Sequence, residues 1–225
     1  MRSFLSNKQK PLRLAFSVKP CYAVNVFYGG GKAGVAFLYD RGAHFAVLDT
    51  ETNWDDAVMS VGVAIADAAD MTLKKVAYYI FPEEAARGGI FEAQLSLYAG
   101  RAVRAGRAYG LNALSELLLS YGVNAVFAYN ARFDKGHLPE LSGFDWYDIM
   151  RVAVYKQYNP LLPETAEFCS TGRLRRRCGV ENVLRLMTGD SAYAETHNAL
   201  RDALDELKIM QLMALPLSAY EAGKL

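Results

Sequence analysis

Apolar runs of strand length dominate the middle of the chain. Phe45-Ala46-Val47-Leu48 is a compact apolar run that predicts a buried strand, closing on Asp49-Thr50-Glu51-Thr52. Val58 to Ile65 predicts a second strand and Thr72 to Phe81 a third, which Pro82 ends because it cannot donate to a ladder. The short links between the three favour an antiparallel meander. Phe91 to Tyr98 and Leu111 to Ser120 predict helices, the second with Leu111, Leu114, Leu117 and Leu118 on one face. Tyr121-Gly122 stops it, and Ala125 to Tyr129 predicts a fourth strand. A helix through Leu138 follows, then a fifth strand over Trp146 to Met150, a loop or lid over Pro160 to Thr171, and a helix over Gly179 to Thr188. A last long helix starts near Thr196 or Asn198, with Leu200, Leu204, Leu207, Met210 and Ala214 toward the core. Meander strands followed by strands alternating with helices give an α/β chain with a mixed five-stranded sheet flanked by helices.

Residues 1–40 differ in character: they carry Arg2, Lys8, Lys10, Arg13, Lys19 and Lys32, with no acidic residue before Asp40. Leu12 to Val18 and Tyr22 to Phe27 read as strands separated by Lys19-Pro20. This describes a basic N-terminal extension, either a β-hairpin or an arm that touches a polyanion. Gly29-Gly30-Gly31-Lys32 is no phosphate loop, because Val26 stands where its first glycine is needed and Ala33 where Ser or Thr should follow the lysine.

Composition narrows the class without naming a function. Of 225 residues, 52% are hydrophobic and 22% charged, enough to bury a full core. A formal net charge of +1 makes no overall case for nucleic acid, so any basic surface must be local. Arg101, Arg104 and Arg107, and the run Arg173-Leu174-Arg175-Arg176-Arg177, are each either a solvated face or a track for phosphates. Cys21, Cys169 and Cys178 lack the spacing of a zinc site and read as thiols in a reducing cytoplasm. No apolar run reaches membrane-spanning length, and basic residues interrupt any signal-peptide core, so a cytoplasmic location without membrane attachment is expected.

The chemistry begins at Asp49 and Glu51. Spaced i, i+2 on a strand, they project from the same face, where two carboxylates repel unless a proton or a cation lies between them. Oxygen ligands of this kind suit Mg²⁺ or Mn²⁺. Asp134 follows the fourth strand in Asn130-Ala131-Arg132-Phe133-Asp134, and His197 and Asp202 fall at the start of the last helix. Four carboxylates and one imidazole at element ends are what a two-metal phosphodiester hydrolase requires. His44 and His137 read as structural.

In these residues the chain resembles the DEDDh family of 3′→5′ exonucleases. The first motif is matched by Leu48-Asp49-Thr50-Glu51-Thr52, the second by Asn130 to Asp134, and the third by His197-Asn198-Ala199-Leu200-Arg201-Asp202-Ala203. The third is the most specific, with His five residues before Asp and small residues at 199 and 203. The resemblance implies a ribonuclease H-like fold over residues 41–225. It implies two divalent cations, Mg²⁺ or Mn²⁺, held by Asp49, Glu51, Asp134 and Asp202, and His197 as the general base. It further implies that backbone around Leu48 and Thr50 contacts the terminal nucleotide, while Asn130 and Phe133 shape the pocket. The expected activity is release of nucleoside 5′-monophosphates from a single-stranded DNA or RNA 3′ end. A catalytically silent nucleic-acid-binding module on the same fold and a metal-dependent endonuclease are the alternatives. DNA versus RNA, a homodimer, and a polymerase or repair partner all stay open. The chain departs from the family in having Ser60 where an acidic or amide residue is common, in the basic extension, and in the arginine-rich loop before the third motif.

Overall fold

The computed structural model describes residues 43–225, together with the backbone of two short strands, β1 (Val24–Asn25) and β2 (Val35–Ala36), which pair antiparallel. These two belong to a unit spanning Met1–Asp40, separate from the unit Arg41–Leu225. The strand expected over 12–18 and the glycine turn at 29–32 lie outside the described residues.

The second unit is built on a mixed sheet in the order β6-β5-β4-β3-β7-β8. Its strands are β3 (His44–Thr52), β4 (Val58–Asp67), β5 (Leu73–Ile80), β6 (Val103–Arg104), β7 (Ala125–Ala128) and β8 (Asp145–Asp148). β3, β4 and β5 form the antiparallel meander, while β6, β7 and β8 join in parallel. The five expected strands are present, and a two-residue sixth is added at one edge. Parallel joins need crossovers, and helices α2 (Arg107–Ser120) and α3 (Arg132–His137) lie in them.

Helices cover both faces, so β4 is buried along nearly its whole length and reads as a continuous apolar run. On one face, Val61, Val63 and Ile65 pack with Leu111, Leu114 and Leu118 of α2. On the other, Phe45, Val47, Ala64 and Ala66 meet Leu207 and Met210 of α6 (Ala199–Met213) and Val183 and Leu184 of α5 (Val180–Thr188). Each fully buried leucine contributes about 1.5–3 kcal/mol relative to exposure, so both layers are needed.

Some expectations are corrected. Residues 91–98 do not make an α-helix: after the single turn α1 (Pro82–Ala85) the chain forms two 3₁₀ turns, Glu92–Ser96 and Ala99–Arg101. α2 begins four residues earlier than expected, and its first residue, Arg107, pairs with Glu140 at 3.0 Å instead of standing in solvent. The fifth strand ends at Asp148, and a short helix, α4 (Met150–Ala153), takes over. Ala214 is exposed and ends α6 in a left-handed conformation; Met213 is the buried residue there. The segment 154–174 folds back on itself through bridges Tyr155↔Arg173 and Phe168↔Leu174. The last residues return to the sheet: Lys224 bridges Tyr147, and the Leu225 N–H donates to the Trp146 carbonyl at 3.0 Å. Among the described residues no helix is long and apolar enough to cross a membrane.

Candidate active site

The register of β3 on β4 sets the site. Asp49 lies opposite Gly62 and Glu51 opposite Ser60, on the sheet face that α6 covers. Pairing then skips Met59, a bulge that bends the strand immediately beyond Glu51. Gly62 lets α6 come down: a Cβ there would sit 2.1 Å from the Ala199 carbonyl carbon and oxygen. The helix start therefore rests on β4 backbone beside Asp49.

Asn198 caps α6. Its side-chain oxygen accepts from the Arg201 N–H at 3.2 Å, while its amide donates to Tyr78 Oη at 3.0 Å and to the Gln94 carbonyl at 2.9 Å. Just before it, His197 adopts φ +55°, a left-handed backbone that His tolerates better than most residues. The turn aims its imidazole into the site. One ligand atom each from Glu51, His197 and Asp202 lies within 4.8 Å of the other two.

Asp134 enters from α3 and is buried; its Oδ1 accepts from Thr50 Oγ1 at 2.8 Å. Leu48 is fully buried in the α2-side core, and Thr50 is buried at the site wall. Asn130 is exposed with φ +63°, and its N–H donates to Asp148 Oδ1 at 3.0 Å. Phe133 is 40% exposed and, with Thr50, Glu51, Trp54, Ile90 and Phe91, lines a hollow of about 350 Å³. A larger hollow of about 420 Å³, among Met150, Arg151, Tyr155, Tyr158 and Arg173, includes none of the five carboxylate and imidazole residues. His44 and His137 have structural partners, a ring nitrogen of each hydrogen-bonding to the carbonyls of Tyr121 and Phe133 respectively.

Crowding of negative charge dominates the electrostatics. Burial, then repulsion from Glu206, Asp134, Glu51 and Asp202, drives Asp49 well above the usual carboxylate range. Burial with repulsion from Asp202 and Glu195 lifts Glu51 to about 8. Asp134 is raised to about 7 by burial, held back by hydrogen bonds from Thr50. Asp202 reaches about 7 through burial and repulsion from Glu195 and Asp205. Asp49 Oδ2 and Asp202 Oδ1 are enclosed and lack any hydrogen-bond partner among the described residues. Buried carboxylate oxygens without donors are costly unless a proton or a cation supplies what the protein does not. The donor set is hard oxygen with one imidazole, which fits Mg²⁺ or Mn²⁺.

Two further carboxylates escape motif reading. Glu206 is buried one helical turn after Asp202, and its Oε2 accepts the Tyr129 N–H at 3.0 Å. Glu195 leads the repulsion on Asp202 from two residues before His197. The i, i+4 spacing of Asp202 and Glu206 is the signal that points to the first; Glu195 has none.

No protein-family model and no curated protein sequence matches the chain. Solved structures do resemble it. The nuclease domain of 3′hExo, a DEDDh family member bound to rAMP, aligns with TM-score 0.56 at 10% identity, over 83% of this chain and 98% of that one. A full-length 3′-exonuclease aligns with TM-score 0.55 at 10% identity, over 84% of this chain and 66% of that one. Exonuclease I of E. coli, in complex with single-stranded DNA, aligns with TM-score 0.49 at 14% identity, over 76% of this chain; the match spans only 40% of that enzyme's length. The chain carries the fold of the DEDDh exonucleases.

Proposed function

We propose that residues 41–225 are a metal-dependent 3′→5′ exonuclease domain that releases nucleoside 5′-monophosphates from single-stranded nucleic acid, with residues 1–40 a basic extension to it. The observation that carries this reading is the convergence of Glu51, His197 and Asp202 beside enclosed carboxylate oxygens that have no partner among the described residues. Asp49, Glu51, Asp134 and Asp202 would hold two divalent cations, which when bound polarise the scissile phosphate and lower the pKa of the attacking water. His197 accepts the water's proton at an imidazole nitrogen. Thr50 fixes one oxygen of Asp134 by its 2.8 Å hydrogen bond, so that carboxylate cannot rotate freely. Trp54, Ile90 and Phe133 present exposed apolar faces along the adjoining hollow, where a terminal base can stack. The 3′hExo nuclease domain, which shares the fold, is bound to rAMP, and this supports a nucleotide as the ligand.

The test is shortening of a 5′-labelled single-stranded oligonucleotide in Mg²⁺ or Mn²⁺. Stepwise loss from the 3′ end is expected, along with a circular strand left uncut and no activity in Asp49→Ala or His197→Ala. Cleavage of the circle, or full activity in either variant, refutes the reading.

A further inference from the structure

Phe91 belongs to no motif, yet it makes the closest aromatic contact at the site. Its ring stacks on His197 with centroids 3.9 Å apart and planes 14° from parallel. The same residue lines the hollow beside Glu51. The stack has a foundation on both sides. Phe91 opens the 3₁₀ turn Glu92–Ser96, and His197 immediately precedes the α6 cap. Asn198 ties the two segments by donating to the Gln94 carbonyl at 2.9 Å, and Leu95 packs with Ala199 and Leu200 beneath them. A side chain flanked this way loses rotational freedom, and a left-handed backbone has already set its direction.

We infer that Phe91 is a positioning residue for His197, its ring fixing the plane in which the imidazole faces Glu51 and Asp202. This rests on the nuclease reading for its use in catalysis, but the stack is a property of the protein alone. Pre-organisation of this kind acts on the chemical step and not on capture of the strand, so it shows in kcat. A residue that served only as a stacking platform for bases would show in KM.

The experiment compares the full chain with Phe91→Leu, which keeps apolar bulk but loses the ring, and Phe91→Tyr, which restores it. On a single-stranded oligonucleotide with Mn²⁺, Phe91→Leu is expected to lower kcat about tenfold, the bias that one aromatic pair supplies, with KM within about twofold. Phe91→Tyr recovers kcat to within about threefold, the lower part of that range. In metal-free protein, the imidazole ¹H–¹³C signals of His197, assigned by their loss in His197→Gln, should be displaced upfield by the Phe91 ring. That displacement disappears in Phe91→Leu and returns in Phe91→Tyr. Unchanged imidazole shifts in Phe91→Leu, or a rise in KM with kcat intact, overturn the inference. A wild-type chain that cuts nothing refutes the nuclease reading, and the catalytic use of the stack with it. The ring-current arm then still decides whether the stack exists.

Discussion

Gly62→Ala is the sharpest probe of how the site is assembled. The added Cβ would stand 2.1 Å from the Ala199 carbonyl carbon and 2.2 Å from the Leu200 nitrogen. Non-bonded carbons rest at about 3.5–4.0 Å, so the gap must open by about 1.4 Å or more. All the obstructing atoms are backbone, so no side chain can swing clear. β4 is held by ladders to β3 and β5 on its two sides, which leaves α6 as the element that moves. His197 and Asp202 move with it, away from Asp49 and Glu51. Overpacking of this kind costs about 1–3 kcal/mol. At about 2–4 °C per kcal/mol for a domain of this size, the melting temperature should fall by about 2–12 °C. Activity should fall further, by about a hundredfold, because a 1 Å misplacement of catalytic groups costs that much. Thermal unfolding and the 3′-end cleavage rate of the same preparation measure both. Gly143→Ala is the control, since nothing lies within 4 Å of its new Cβ. A Gly62→Ala protein that melts and cuts like the wild type would show that α6 does not need its seat on β4.

Metal-free protein should become less stable as pH rises. Asp134 and Asp202 near 7 and Glu51 near 8 bind protons in the folded state that the unfolded chain has already released above about 4.5, so stability falls between about pH 4.5 and 8. Each raised carboxyl adds to that fall in the window between its unfolded and folded pKa values, and Mn²⁺ should flatten the profile. A metal-free melting temperature that climbs over this range would contradict it. Asp49→Asn removes the most crowded charge and should raise the metal-free melting temperature while abolishing cleavage, the trade expected where function holds like charges together. Asn198→Ala deletes the α6 cap together with the bonds to Tyr78 and Gln94, and should lower stability by about 2–4 kcal/mol in urea unfolding without changing the m-value.

Much of the sheet was readable because its central strands are buried on both faces, and a continuous apolar run as short as Val58 to Ile65, bounded by polar turns, suits a central strand better than a helix. Asp49 and Glu51 stood out as two carboxylates closing an apolar strand, whereas Asp134 and Asp202 were legible through the motifs they complete with residues 130–133 and with residues 197–203. What stayed hidden depends on approach between distant segments. Nothing near Gly62 announces that a helix 137 residues later will touch its Cα. Glu206 and Glu195 look like ordinary helix and loop acids until packing turns them inward. Phe91 to Tyr98 misled because its apolar spacing fits a helix, whereas the chain uses two tighter turns to bring Phe91 onto His197.

The two flanks of the sheet are guarded in different ways. On one flank the two-residue β6 pairs with β5 only at Tyr79 and Ile80, and the rest of that β5 edge carries Lys74 and Lys75, charges that discourage another strand. On the other, residues 224 and 225 lie along β8, with Lys224 paired to Asp145 at 3.1 Å. A sheet rich in valine and isoleucine would otherwise invite copies to line up edge to edge and grow into fibrils. Removing residues 224 and 225 would unmask that surface, and self-association would then be the first defect to appear, ahead of any loss of the proposed cleavage activity.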